Sequence, residues 1–275
     1  MVNSNIHDSN IRSITGGPMN IFNLTRILLV ITIANLFTTT TYANPHSTAS
    51  KGREYYEKRG DIVWEVPTQN KVIALTFDDG PDHNKTPEIL SLLKQYQAKA
   101  TFFVVGNRVE KFPEIVKQTF LEGHEIGNHS FDHASFENIS RTKLLNELTR
   151  TQDAIYRAIG QKPTLFRPPG GSYNESAVNI CKENQLLTIL WSWDQDTKDW
   201  TTPGVNKIVN KVLNNVDNGD IVLMHDYVYN STQTVEALKI ILPELIKRGY
   251  SFVTVSELIS KKENEHTGQH IKVTH

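Results

Sequence analysis

Short apolar runs alternate with amphipathic stretches along most of the chain. From Lys71 onward, seven runs typical of buried strands are separated by segments with helical periodicity: VIALTF, ATFFVVG, HEIGN, TLFRPP, LLTILWSWD, DIVLMHD and SFVTVS. Regular alternation of strand and helix favours parallel strands joined by helical crossovers. The pattern predicts an α/β fold, and it leaves open a closed or nearly closed barrel and an open doubly wound sheet.

The clearest predicted helix runs through the middle of the chain. It begins at Ser140, a residue type that caps helix N-termini, and it closes at Gly160, a residue type that ends helices in the left-handed conformation. A second helix starts at Pro113, suited to a first helical position, and stops at Gly123. Cys181 lies in a further helical segment, where we expect a small buried apolar residue, and as the single cysteine it forms no internal disulfide.

The sequence of residues 1–43 predicts a polar leader followed by a secretory signal peptide. Arg26 supplies a positive charge, residues 27–37 form an apolar run, and the small residues ending at Ala43 resemble a cleavage site. We therefore expect a secreted or cell-wall-associated protein without stable membrane insertion after cleavage. The apolar run is short against the ~20 residues of a membrane span, and an uncleaved anchor is the alternative. The polar leader is unusual, so Met19 is an alternative start.

The rest of the chain divides into three parts. Residues 44–70 are a polar lead-in with a short strand candidate in DIVWEV, residues 71–259 carry the alternating pattern, and residues 260–275 form a polar tail. The net charge is −1, so no global positive field suggests a nucleic-acid partner. The sequence does not indicate the oligomeric state.

Polar residues follow the apolar runs at the points where the predicted strands end. The segment TFDDGP alone is also a turn signal, because Asp, Gly and Pro end strands for local backbone reasons. In parallel α/β folds, however, the carboxyl ends of strands converge on one face, where active sites lie. The residues expected there are Asp78, Asp79, His129, His133, Arg167, Asp196, Asp199 and His225.

A metal site is predicted from two of these segments. His129 and His133 are four residues apart, and in a helical turn both imidazoles would face one side. Two imidazoles and one carboxylate leave an open coordination position for water, as in catalytic zinc sites. We expect one acid of the Asp78–Asp79 pair to bind the metal and the other to take the proton of that water.

Three further groups have candidate roles around this site. Arg167 can pair with a carboxylate of the two adjacent acids and keep it ionised. Glycines at 170 and 171 allow close backbone approach and offer an N–H donor. His225 ends an otherwise apolar strand and needs a polar partner, for which Asp199 and Asp196 are both candidates.

Together these segments resemble a known family. TFDDGP, HSFDH, RPPGG, DTKDW and IVLMHD, in this order, resemble the five motifs of the polysaccharide deacetylases, the NodB-type domain of carbohydrate esterase family four, and the match covers residues 71–259. The resemblance implies a single catalytic domain folded as a distorted (β/α)7 barrel. It also implies a divalent metal, usually zinc or cobalt, and removal of N-acetyl groups from polymers that contain N-acetylglucosamine.

The resemblance assigns residues to roles, motif by motif. It implies that Asp78 is the general base, held by Arg167, and that the Gly170 backbone N–H helps to stabilise the oxyanion. Many members carry Tyr where this chain has Gly170, so an aromatic wall is lost, and Tyr173 is the candidate replacement. The remaining implied roles are metal binding by Asp79, His129 and His133, general acid catalysis by His225 oriented by Asp199, and lining of the acetyl pocket by Trp200 and Leu223.

The expected partner is therefore an N-acetylated glycan, either peptidoglycan or a chitooligosaccharide. One alternative is an ester hydrolase of the same fold that removes O-acetyl groups from xylan-like glycans. Another is a non-catalytic, metal-stabilised glycan-binding domain, whose mark would be a lost base, acid or metal ligand. None of those residue types is missing from the motifs.

Overall fold

Eight short parallel strands form one sheet in the computed structural model, which describes residues 51–137 and 139–261. The order across the sheet is β1-β6-β5-β4-β3-β2-β7, and β8 pairs with the first residues of β2. The strands are β1 (Ile62–Val63), β2 (Val72–Asp78), β3 (Ala100–Val104), β4 (Glu125–Asn128), β5 (Leu165–Phe166), β6 (Leu187–Ile189), β7 (Ile221–His225) and β8 (Ser251–Phe252).

Helices connect the strands and cover the outside of the sheet. The predicted central helix is confirmed: Ser140 Oγ accepts the Lys143 N–H at 3.3 Å, and Gly160 ends the helix with φ 73°. The helices are α1 (Arg53–Arg59), α2 (Lys85–Gln95), α3 (Gly106–Lys111), α4 (Pro113–Leu121), α5 (Arg141–Ile159), α6 (Glu175–Glu183), α7 (Val205–Asn215) and α8 (Gln233–Lys247), followed by helical residues 255–261.

The period-two alternation of β2 separates an outer core from an inner one. Ile73, Leu75 and Phe77 pack outward in the large cluster beneath the helices, whereas Val72 and Ala74 belong to the inner cluster. Successive side chains of a strand point to opposite faces. Asp78, at the end of β2, therefore follows Val72 and Ala74 on the inner face.

The sheet curls back on itself between β6 and β7. After β6 the chain crosses to β7, where the Ser192 N–H donates to the Ile221 carbonyl at 3.0 Å and the Leu223 N–H donates to the Gln195 carbonyl at 2.9 Å. Glu65 bridges to Asp220 at the start of β7. The predicted distorted barrel is confirmed, and the open doubly wound alternative is wrong because the two sides of the sheet meet.

The lead-in contributes to this sheet. The short strand predicted in DIVWEV is β1, which pairs with β6, and α1 precedes it. Residues 260 and 261, placed in the polar tail by the sequence, continue the helix that begins at 255. The predicted signal peptide and the rest of the tail lie outside the described residues.

Two smaller points concern Cys181 and membrane association. Cys181 is buried in α6, as predicted, and burial raises the pKa of its thiol to about 12. Within residues 51–137 and 139–261, no helix is both long and apolar enough to cross a membrane.

Candidate active site and metal centre

The predicted polar residues meet at the carboxyl ends of the strands. Asp78 ends β2 and His225 ends β7, and the parallel register of these two strands makes them direct Cα partners. His129 follows β4 and Arg167 follows β5. The pairing of neighbouring strands therefore places a carboxylate, a guanidinium and two imidazoles around one mouth of the barrel.

Asp78 is buried and fixed by a buried arginine. Its Oδ1 accepts a hydrogen bond from Arg167 Nη1 at 2.8 Å, and the same nitrogen donates to Thr76 Oγ1 at 2.7 Å. Arg167 is fully buried, and its other nitrogens donate to the carbonyls of Ile189 and Leu190. Burial lowers the pKa of Arg167, and pairing with Asp78 opposes that effect. The guanidinium stays charged, so its position and charge are fixed beside Asp78.

Three ligand atoms converge next to this pair. Asp79 Oδ1 lies 3.1 Å from His133 Nε2 and 3.4 Å from His129 Nε2, and the three atoms lie within 4.8 Å of one another. Asp79 Oδ1 is buried but has no hydrogen-bond partner of good geometry among the described residues. Nitrogen and carboxylate donors of this kind suit zinc and similar divalent cations. The donor set therefore fits such a cation.

The tautomer of His129 supports the same assignment. Its Nδ1 lies 2.7 Å from the Arg167 carbonyl oxygen, which can only accept, so Nδ1 carries the proton and donates. In the neutral imidazole Nε2, which lies 3.4 Å from Asp79 Oδ1, is then the nitrogen whose lone pair is available to a cation. A histidine that donates from its second nitrogen to a carbonyl is the arrangement that orients metal-binding imidazoles.

The loop that carries the two histidines is not helical, so the predicted helical turn is wrong. Residues 129–133 form an irregular loop in which Ser130 has φ 65° and His133 has φ 55°. These two left-handed residues bend the loop, and the imidazole rings of His129 and His133 come to 5.1 Å between centroids. The grouping of the side chains depends on the loop conformation, not on helical spacing.

The charge of Asp79 is set by its neighbours. Burial raises the pKa of its carboxyl, but the imidazoles of His129 and His133 outweigh burial and hold that pKa well below its usual range. The carboxyl is therefore ionised at neutral pH and is ready to act as an anionic ligand.

His225 is paired with Asp199. His225 Nδ1 donates to Asp199 Oδ1 at 2.7 Å, and Asp199 Oδ2 accepts the His225 N–H at 2.8 Å and the Thr234 hydroxyl at 2.6 Å. Burial lowers the pKa of His225, but the hydrogen bond and the charge of Asp199 outweigh burial and raise that pKa to about 9. Asp196, the other candidate partner, instead accepts the Lys198 N–H and bridges to Leu223.

The four predicted substrate-binding residues lie in different surroundings. Gly170 is exposed in a 3₁₀ turn with φ 63°, and a Cβ there would meet no atom within 4 Å. Trp200 is 58 % exposed next to Asp199. Leu223 is buried two residues before His225, on the same face of β7. The Tyr173 ring packs edge-on against the rings of Tyr56 and Trp64, with centroid distances of 5.3 and 5.8 Å, respectively. It thus belongs to a cluster with residues of α1 and of the segment around β1.

Two buried polar residues of the site were not predicted. Thr76 lies in the apolar run VIALTF, where the only signal was one hydroxyl on the face of β2 that ends in Asp78.

Asp226 is the second polar residue of LMHD; it accepts a hydrogen bond from Thr86 at 2.6 Å, and burial raises its pKa to about 7. Its carboxylate packs against Gly80, where a Cβ would lie 2.1 Å from Asp226 Oδ2. Thr76 therefore helps to hold Arg167 beside Asp78, and Asp226 supports the turn that carries Asp78 and Asp79.

Comparisons with known proteins identify relatives of this chain. A family profile described as polysaccharide deacetylase matches residues 65–189. The chain is 50 % identical over 210 residues to a peptidoglycan-N-acetylglucosamine deacetylase of Bacillus cereus, covering 76 % of this chain and 98 % of that protein. It is 41 % identical over 216 residues to the deacetylase PgdA of Listeria monocytogenes, covering 78 % of this chain but only 45 % of that longer protein.

A solved structure is similar over the same region. The crystal structure of the Bc1960 peptidoglycan N-acetylglucosamine deacetylase, in complex with a naphthalenyl N-oxidanyl-benzamide, superposes with a TM-score of 0.72 at 33 % identity. The match covers 76 % of this chain and 98 % of that one.

Proposed function

The chain belongs to the polysaccharide deacetylase family, and we propose that it hydrolyses N-acetyl groups from N-acetylglucosamine residues of peptidoglycan, releasing acetate. One observation carries the proposal: the register of β2 and β7 sets Asp78, held by Arg167, beside His225, held by Asp199, with three convergent ligand atoms next to them. A base, an acid and a cation site at one mouth are the groups that amide hydrolysis requires.

Asp79, His129 and His133 would hold the cation, for which zinc is the first choice and cobalt the second. Such a cation supplies Lewis acidity, which polarises a carbonyl and lowers the pKa of water. His129 is buried, and the Oδ1 atom of the partly exposed Asp79 is buried as well, so bulk water is kept from two of the three ligand atoms. His133, whose side chain is 46 % exposed, forms the open side of the site.

Asp78 takes the proton of the attacking water. Its Oδ1 is occupied by Arg167, and its Oδ2 lies 3.7 Å from His129 Nε2, so Oδ2 faces the metal ligands. The guanidinium keeps the carboxylate in place and ionised before the reaction. Water oxygen then forms a bond to the acetamide carbon, and the Gly170 N–H helps to stabilise the negative charge on the carbonyl oxygen.

His225 gives a proton to the leaving amine. Because Nδ1 donates to Asp199, the second proton of the imidazolium is on Nε2, which Asp199 does not engage. When the carbon–nitrogen bond breaks, this proton goes to the sugar nitrogen, and acetate and a glucosamine unit result. Leu223 and Trp200 flank His225 and Asp199, respectively, and we assign them to the wall around the acetyl methyl group.

Acetate release tests this function and its substrate. Purified protein loaded with Zn²⁺ or Co²⁺ is compared on peptidoglycan, chitooligosaccharides and O-acetylated xylan, with Asp78→Asn as the control for base-dependent turnover. We expect acetate from peptidoglycan in a cation-dependent way. Acetate from the xylan ester alone would establish the ester hydrolase instead, and no acetate from any substrate would contradict the catalytic proposal.

We also propose that the protein acts outside the cytoplasm, since its substrate lies there. The support is the order of basic, apolar and small residues that ends at Ala43.

A further inference from the structure

We propose that Glu147 positions the metal-binding loop, defined as residues 129–133, and thereby sets the direction of the His133 imidazole. Glu147 lies on α5, outside all five sequence motifs. Within the described residues, its carboxylate forms hydrogen bonds to the metal-binding loop and none to Asp78 or His225. The inference rests on the proposed metal site formed by Asp79, His129 and His133.

The Glu147 carboxylate holds the inner side of the loop. The side chain is buried, and its Oε2 accepts the backbone N–H of Phe131 at 2.8 Å and of Asp132 at 2.9 Å. If the carboxylate were removed, two backbone donors would lose their partner, the Phe131 N–H in a buried place and the Asp132 N–H in a partly buried one.

The loop carbonyls are held from the opposite side by α3. The Gly106 N–H donates to the Ser130 carbonyl at 2.9 Å, and the Asn107 N–H donates to the Phe131 carbonyl at 3.0 Å. The loop is thus clamped between the N-terminus of α3 and the side of α5. Left-handed backbone at non-glycine residues such as Ser130 and His133 persists only where the surroundings determine it, and Glu147 provides two of the determining bonds.

The two histidines depend on this clamp to different degrees. His129 is fixed independently, because its N–H donates to the Val104 carbonyl at 3.0 Å and its Nδ1 donates to the Arg167 carbonyl. His133 has only the ion pair with Asp79 and the ring contact with His129 among its recorded side-chain contacts in the described chain. Its orientation therefore follows from the loop, and the loop conformation depends on Glu147 together with the N-terminus of α3.

Cation affinity is the direct test. Zn²⁺ or Co²⁺ alone is titrated in competition with a chromophoric chelator, without substrate, for the wild type, Glu147→Ala and Glu147→Gln. Loss of a residue that orients a ligand typically lowers metal affinity ~10–100-fold, and we expect this range for Glu147→Ala. Both N–H groups point at one oxygen, which the carbonyl of Gln can replace, so Glu147→Gln should remain within about threefold of the wild type.

Leu148→Ala is the matched control, because Leu148 is the next residue of the same helix and is equally buried. It should lower the melting temperature, as core truncations do, without changing cation affinity. The proposal is overturned if Leu148→Ala lowers cation affinity as much as Glu147→Ala does, or if folded Glu147→Ala binds the cation as tightly as the wild type.

Hydrogen exchange of the metal-free wild type provides a test that requires no variant. The amides of Phe131 and Asp132 should exchange slowly, because Glu147 holds them, and exchange at the rate of an open loop would refute the clamp. A wild type that binds no cation would contradict the metal assignment, whereas rapid exchange at these two amides would contradict the role of Glu147 alone.

Discussion

Replacing Asp199 by asparagine removes the charge that keeps His225 protonated. In the structure the pKa of His225 is raised to about 9 because the hydrogen bond and charge of Asp199 outweigh burial. Without that charge the pKa should fall toward its ordinary value of about 6.5, since burial is then opposed only by the charges of Asp78 and Asp79. At pH 8 the protonated fraction falls from about 90 % to about 3 %, a loss of roughly 30-fold in available acid.

The effect has a definite sign, because a general acid works only while protonated. The alkaline limb of kcat/KM should move to lower pH in Asp199→Asn, and the rate near pH 6 should stay within about twofold of the wild type. A bound cation lowers the pKa of His225 in both proteins, so the difference between them remains. The assay is acetate release from pH 5.5 to 10 with saturating metal and with metal content measured for each protein.

Thr234→Val is the matched control for this change. It removes the hydroxyl that donates to Asp199 Oδ2 but keeps the carboxylate charge, so its alkaline limb should stay within about half a pH unit of the wild type. If the limb of Asp199→Asn coincides with that of the wild type, or if Thr234→Val shifts it equally, the carboxylate charge does not set the pKa of the acid.

Four further predictions concern other parts of the chain. His129→Ala should lose bound metal and activity together. If metal analysis and acetate release show that it retains both, His129 is not a metal ligand. Asp78→Asn should keep its metal but lose activity, because Asp78 transfers a proton; loss of metal would reassign it as a ligand. Arg167→Met leaves the Asp78 carboxylate buried without its guanidinium partner, so the free energy of unfolding in urea should fall by about 3–5 kcal/mol. An unchanged midpoint of unfolding would refute this. N-terminal sequencing of the exported protein should find a start near residue 44, and a start before Ile27 would support the anchor.

The alternation of apolar runs predicted an α/β fold with parallel strands, because it reports strands and helices directly, whereas the choice of a barrel over an open sheet came from the family resemblance. The apolar runs predicted longer strands than the structure contains, for two physical reasons. In TLFRPP only Leu165–Phe166 pair, since prolines at 168 and 169 lack the N–H that a ladder needs. In LLTILWSWD the pairing with β1 ends at Ile189, because the chain then crosses to β7, and no local pattern marks such a crossing.

The sequence predicted which residues form the site better than how they are held. His129 and His133 were grouped by a spacing that suits a helix, yet a loop with two left-handed residues brings them together. Asp196 and Asp199 could not be separated as partners of His225, because only the tertiary path of that segment decides which carboxylate reaches the imidazole. Thr76 was hidden because one hydroxyl in an apolar strand gives no sign of a buried guanidinium partner.

The direct pairing of Asp78 with His225 across β2 and β7 has a consequence for engineering and divergence. The spacing between base and acid is encoded in backbone hydrogen bonds, so the parts of the loops that lie past Asp79 and Asp226 can be lengthened, shortened or grafted without changing it. A single-residue deletion inside β7 that keeps the register of Ile221, in contrast, would move His225 to the place of Met224 on the opposite face and bring Asp226 opposite Asp78. Substrate preference can therefore be altered by exchanging loops, whereas the reaction itself tolerates no change of strand register.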